Sequence, residues 1–166
     1  MLSQPGSRKK LFLVILVSAA AIVFFSSSMA HLEGGELKDF TLTDVNGNKV
    51  RLFELANDKV LLLYFWASWC KPCRLVSPQV ASLARKYKDR ITVIGINVGG
   101  VDSPEFVKKY AKRHQMDYPL LIDSNNETLE AYSVRAIPTI ILLDKNGKVL
   151  FRGNEPPEKL EELLPK

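Results

Sequence analysis

Cys70 and Cys73 are the only cysteines in this 166-residue chain, and they stand at the end of an apolar run with two residues between them. The stretch reads Tyr64-Phe65-Trp66-Ala67-Ser68-Trp69-Cys70-Lys71-Pro72-Cys73. A hydrophobic strand that delivers such a pair to the start of a helix provides what thiol–disulfide exchange requires. Unpaired N–H groups and a partial positive charge at the helix N-terminus favour thiolate over thiol. Such surroundings bring a cysteine pKa from about 8.5 into a range of roughly 3.5–7.5. Cys70, nearest the helix start and the loop, is the expected attacking sulfur. Cys73, one turn further in, is the expected buried partner that resolves a mixed disulfide.

Other uses of the pair have less support. Structural zinc takes four Cys or His ligands, and the chain adds only His31 and His114, both distant in sequence from the pair. No metal is therefore expected. A purely structural disulfide closing so short a loop removes little unfolded-chain entropy. Trp69 before the pair and Pro72 within it suit a shaped, exposed turn better than two inert buried thiols.

The elements around the pair follow from periodicity. Val60 to Trp66 is continuously apolar and reads as a central strand covered on both faces. After Cys73 the period changes: Val76, Val80, Leu83, Ala84 and Tyr87 recur at helical spacing, with Pro78 placed to kink the helix early. Ile91 to Asn97 is a second buried strand, completing a βαβ unit. Upstream, Phe40–Asp44 and Val50–Leu52 flank Asn46-Gly47, which predicts a β-hairpin with a two-residue turn, and Phe53 to Ala56 makes one helical turn. Downstream, Gly99-Gly100 reads as a connector, and Asp102 or Ser103 caps a helix with Pro104 at its first position. Its apolar stripe is expected to be Phe106, Val107, Tyr110 and Ala111. A strand over 118–123, a short helix over 127–132 and a strand over 140–144 follow. Asn146-Gly147 predicts a second two-residue turn into a strand over 148–152, and Pro157 opens a last helix carrying Leu160, Leu163 and Leu164. Pro138 opens a buried strand, where it either needs no ladder donor or forms a cis peptide bond.

Residues 1–30 stand apart. Arg8, Lys9 and Lys10 precede an apolar run from Leu11 to Phe25, the pattern of a charged region followed by a hydrophobic one. Ser28-Met29-Ala30 suits cleavage after Ala30. Alternatively, Leu11 to Ala30, at about 20 residues, is long enough to remain as a membrane anchor. Three of the 23 basic residues lie there, which leaves 20 against 18 acidic ones in the rest. That near balance gives no basic patch for nucleic acid, and part of the whole-chain charge of +5 is explained by orientation across a membrane. Residues 31–166 are the right size for one domain with one core.

The segment from Phe65 to Arg74 resembles the active site of the TlpA/ResA-like thioredoxins, bacterial disulfide reductases tethered outside the cytoplasmic membrane. The resemblance extends to the opening hairpin, to Pro78, to the extra helix and strand between Asp102 and Asp123, and to Ile137-Pro138-Thr139, which is similar to the family's cis-proline loop. It implies an α/β thioredoxin fold, with an N-terminal β-hairpin, a central helix-strand insertion and a mixed sheet flanked by helices. Carried over, Cys70 is the nucleophile and Cys73 the resolving thiol. Ile137 offers backbone groups to an extended substrate and Pro138 packs against the pair, with Trp69, Lys71 and Pro72 completing the substrate-binding surface. The redox-active Cys70–Cys73 disulfide is then the whole redox equipment, without a further cofactor. The implied partners are disulfide-containing exported proteins, apocytochromes c among them, and a membrane-embedded thiol electron donor. Two positions depart from the pattern: Val76 stands where many members carry a glutamate, and Tyr64 where cytoplasmic thioredoxins carry a buried aspartate. Two other readings remain: a peroxidase-like redoxin, which would want a threonine-containing loop and an arginine partner, and a non-catalytic module binding partners by strand addition at the Ile137 edge.

Overall fold

The computed structural model describes residues 38–56 and 58–165. The leader over 1–30, cleavage after Ala30 and His31 lie outside the described residues. Thr41–Asp44 (β1) and Lys49–Arg51 (β2) pair antiparallel, with Thr43 opposite Lys49. The loop between them is one residue longer than the Asn-Gly pair predicts. Asp44 causes this: its Oδ1 accepts the N–H groups of Asn46 and Asn48, both at 2.8 Å, and Gly47 takes φ 90° to close a three-residue connection. The same chemistry recurs at Asp144, whose Oδ1 accepts from Asn146 and Lys148 while Gly147 takes φ 85°.

After a turn of helix at Leu52–Ala56 (α1), Val60–Trp66 forms β3, buried at every residue. Cys73–Lys86 (α2), Ile91–Val98 (β4), Pro104–His114 (α3), Leu120–Asp123 (β5) and Glu127–Ala131 (α4) follow. Thr139–Leu143 (β6), Val149–Gly153 (β7) and Leu160–Leu163 (α5) complete the domain. Among the described residues the strands make one mixed sheet in the order β2-β1-β5-β4-β3-β6-β7. The β3–β4 and β4–β5 pairs are parallel and the rest antiparallel. The inserted α3 and β5 thus join the opening hairpin to the sheet, because β5 lies between β4 and β1.

Side chains of β3 alternate between two cores. Leu62, Tyr64 and Trp66 pack beneath α2 and α3, while Leu61, Leu63 and Phe65 pack on the opposite face with Leu52 and Tyr132. Burying each leucine contributes about 1.5–3 kcal/mol, so this strand anchors both layers. Two predicted boundaries move. Phe106 is 51% exposed, because Val107, Tyr110 and Ala111 alone form the buried stripe of α3. The last helix starts at Leu160 rather than Pro157, since Lys159 holds φ −112°, ψ 55°, outside the helical region; Leu160 and Leu164 are buried nonetheless. Among the described residues, no helix is long and apolar enough to cross a membrane.

Candidate active site

β3 ends at Trp66, and the chain turns at once: the N–H of Cys70 donates to the carbonyl of Ala67 at 3.2 Å. Cys70 and Cys73 form a disulfide with their Cα atoms 5.3 Å apart. Cys73 is the first residue of α2, and its N–H donates to Cys70 Sγ at 3.2 Å. The helix therefore aims a backbone donor and its positive end at the sulfur of Cys70, which stabilises negative charge there once the bond opens. Cys70 is only 4% exposed and Cys73 fully buried. The exposed part of the turn is its surroundings, with Trp69 at 54% and Lys71 and Pro72 also open to solvent.

Ile137–Pro138 is a cis peptide, which decides between the two alternatives open from the residues alone. Thr139 pairs with Phe65, setting the buried Pro138 beside Trp66 at the end of β3. Trp69 and the half-buried Ile137 line one groove of about 450 Å³, together with Val98, Gly99, Asn126 and Arg135. The indole of Trp69 lies over Gly99, 3.4 Å from where a Cβ would stand, an ordinary contact, and it is the φ of 94° that favours glycine there. A cavity of similar volume, about 460 Å³, lies between the hairpin and α3 and touches neither cysteine.

Beneath the disulfide is a group of hydroxyls. Ser77 Oγ donates to the Cys73 carbonyl at 2.8 Å and lies 3.0 Å from Tyr64 Oη and 3.4 Å from Tyr110 Oη. Tyr64 Oη also donates to the Cys73 carbonyl, at 3.2 Å. Burial raises the Tyr64 phenol pKa, and the Ser77 hydrogen bond only partly offsets this. Burial likewise raises that of Tyr110, against hydrogen bonding from Ser77 and the nearby charge of Arg74, with Asp102 adding to the rise. Val76, at the position of the missing glutamate, is 3% exposed among apolar neighbours.

Asp102 holds the other side of the turn. Its carboxylate accepts the N–H and hydroxyl of Ser68 and the side-chain amide of Asn97. Ser103, not Asp102, caps α3, accepting from Phe106 N–H at 3.3 Å. Neither Ser77 nor Asp102 stands out from its sequence as a site residue. Ser77 leaves one trace, a lone polar residue on the buried face, four positions after Cys73. The Asp102–Ser68 link spans 34 residues and leaves none.

A parallel β3–α2–β4 core carrying a Cys-x-x-Cys disulfide at the helix head, next to a cis-proline strand, defines a thiol–disulfide oxidoreductase of the thioredoxin fold. The chain belongs to the AhpC/TSA family, whose sequence profile matches residues 34–152. Its relatives include the thiol-disulfide oxidoreductase ResA of Bacillus cereus, 33% identical over 165 residues, with 93% of this chain and 92% of that protein covered. ResA of Geobacillus kaustophilus is 34% identical over 164 residues, with 95% and 92% covered. Among solved structures, a thiol-disulfide oxidoreductase from Bacteroides fragilis is similar at a TM-score of 0.68 and 29% identity, covering 78% of this chain and 99% of that one.

Proposed function

We propose that this protein is an extracytoplasmic dithiol reductase that breaks disulfides in exported proteins, a class that includes apocytochromes c. Cys70 attacks the substrate disulfide, and Cys73 resolves the mixed disulfide that results. The observation that carries this reading is the hydrogen bond from the first N–H of α2 to Cys70 Sγ, with Cys73 wholly buried behind it. Ile137 offers its backbone to an extended substrate in the groove beside Trp69, and Lys71 and Pro72, exposed on the turn, complete the contact surface with Pro138. A membrane-embedded thiol donor returns electrons to the pair. Residues 1–30 place the domain on the outer side of the membrane, either as an anchor or as a leader removed after Ala30.

The direction of transfer is tested by the reduction potential of the Cys70–Cys73 couple, measured against glutathione. A reductant sits near the about −270 mV of thioredoxin, whereas an oxidant lies near −120 mV. A value close to the oxidant's would overturn the reducing role while leaving disulfide exchange intact.

A further inference from the structure

We infer that Arg135 makes the groove beside the disulfide selective for substrates that carry a carboxylate side chain close to the cysteine under attack. The inference rests on the reading of the protein as a reductase of protein disulfides, and it adds a chemical feature of the substrate. Trp69, Val98, Leu129, Ala136 and Ile137 give the groove apolar walls, and among the described residues Arg135 is the one charged group lining it. Arg135 is exposed and makes no ion pair or side-chain hydrogen bond among the described residues, whereas Arg51, Arg85 and Arg90 each meet a carboxylate. Glu127, next to Asn126 in sequence, does not line the groove and accepts from Asn125 Nδ2 at 2.6 Å.

The backbone that carries this cation is held on both sides. The Val134 N–H donates to the Leu129 carbonyl at 2.8 Å, and the Thr139 hydroxyl donates to the Ala136 carbonyl at 2.6 Å. Elsewhere in the lining, Asn126 Oδ1 accepts the Gly99 N–H at 2.9 Å, which fixes the glycine that lies against the Trp69 indole. Arg135 and Ile137 stand two positions apart and both line the groove. A chain bound along Ile137 therefore passes the guanidinium within a few residues, at about 3.3 Å per residue. A guanidinium takes a carboxylate in two parallel hydrogen bonds, and between apolar walls that attraction is screened less than on an open surface. A basic side chain at the same place in the substrate meets like charge instead, from Arg135 and from Lys71 on the exposed turn. Selection acts in both directions, favouring acids and disfavouring bases.

The test uses the full chain and short peptides with one internal disulfide. The peptides differ only in a Glu, Gln or Lys placed in turn within about three residues of the attacked cysteine, a span of about 10 Å. Single-turnover reduction balances without an added reductant: the Cys70–Cys73 dithiol becomes a disulfide as the peptide disulfide becomes two thiols. At about 0.01 M salt the second-order rate constant for the best-placed Glu peptide should exceed that of its Gln counterpart about three- to fivefold, with the Lys peptide slower still. About 1 M salt should remove the difference, Arg135→Gln should abolish it, Arg135→Lys should keep part of it and Arg135→Glu should reverse it. Binding to the oxidised protein is measured with the same peptides after replacing their cysteines by serine. It is read from the emission of Trp69, the second tryptophan, Trp66, being fully buried, and should follow the same order. Absence of a Glu preference at every position, or a preference that persists in Arg135→Gln, would overturn the inference. Peptides bound in the expected order but not reduced would instead overturn the reductase reading and leave the selectivity standing.

Discussion

The two faces of β3 are built from one run of seven residues, yet they do different work. On the face toward α1 and α4, Leu61, Leu63 and Phe65 meet hydrocarbon, and the one phenol there, Tyr132, sends its hydroxyl to the Lys38 carbonyl at 2.8 Å. On the face toward α2 and α3, Tyr64 and Trp66 bring polar atoms into the interior beneath the disulfide. Tyr64 Oη joins Ser77 and Tyr110, while Trp66 Nε1 and Tyr118 Oη find no protein partner. A buried polar atom without a partner costs about 1–3 kcal/mol, and both faces carry such atoms, Asp123 Oδ1 beside α4 among them. The comparison teaches that the faces differ in where their polar groups sit: only the face toward α2 and α3 brings hydroxyls to the cysteine turn, at the Cys73 carbonyl.

Substitutions that touch one face at a time sharpen this division. The largest effect on stability is expected from Leu63→Ala on the hydrocarbon face: a loss of about 2–5 kcal/mol in urea unfolding, the usual range for a fully buried leucine. Where the variant is folded, attack by Cys70 and resolution by Cys73 on a small aromatic disulfide should keep their rates and pH dependence. A changed pH midpoint there would break the separation between the faces. A smaller loss, about 1–3 kcal/mol, is expected from Asp102→Ala, which leaves Ser68 N–H and the Asn97 amide without their acceptor. Here kinetics should change as well: the turn carrying Trp69 and Cys70 is released, and attack by Cys70 slows. An Asp102→Ala protein that loses stability but attacks at the parental rate would reduce Asp102 to a structural tie.

The sequence disclosed whatever depends on local period or on one short motif. β3, the start of α2 at Cys73 and most of the buried stripe of each long helix, Phe106 excepted, are readable because each residue's place depends on neighbours a few positions away. Pro138 was open between two conformers from its residues alone, and only the resemblance pointed to cis. The hairpin loops are one residue longer than the sequence suggests, since Asn-Gly alone points to a tight turn and the hydrogen bonds accepted by Asp44 and Asp144 show only in three dimensions. Least legible were the polar ties of the site. Ser77 meets Tyr110 across 33 residues and Asp102 meets Ser68 across 34. No periodicity records such pairs, because they arise from how α2, α3 and the β4–α3 loop pack at one end of the sheet.

The division of labour between the two sulfurs is the central claim, and trapping tests it most directly. Cys73→Ser and Cys70→Ser proteins are each exposed to disulfide-containing exported proteins, quenched with acid and separated without reductant. Cys73→Ser should accumulate mixed disulfides through Cys70, because attack proceeds and resolution is blocked, while Cys70→Ser should accumulate almost none. Equal trapping by the two variants, or more by Cys70→Ser, would contradict the assignment.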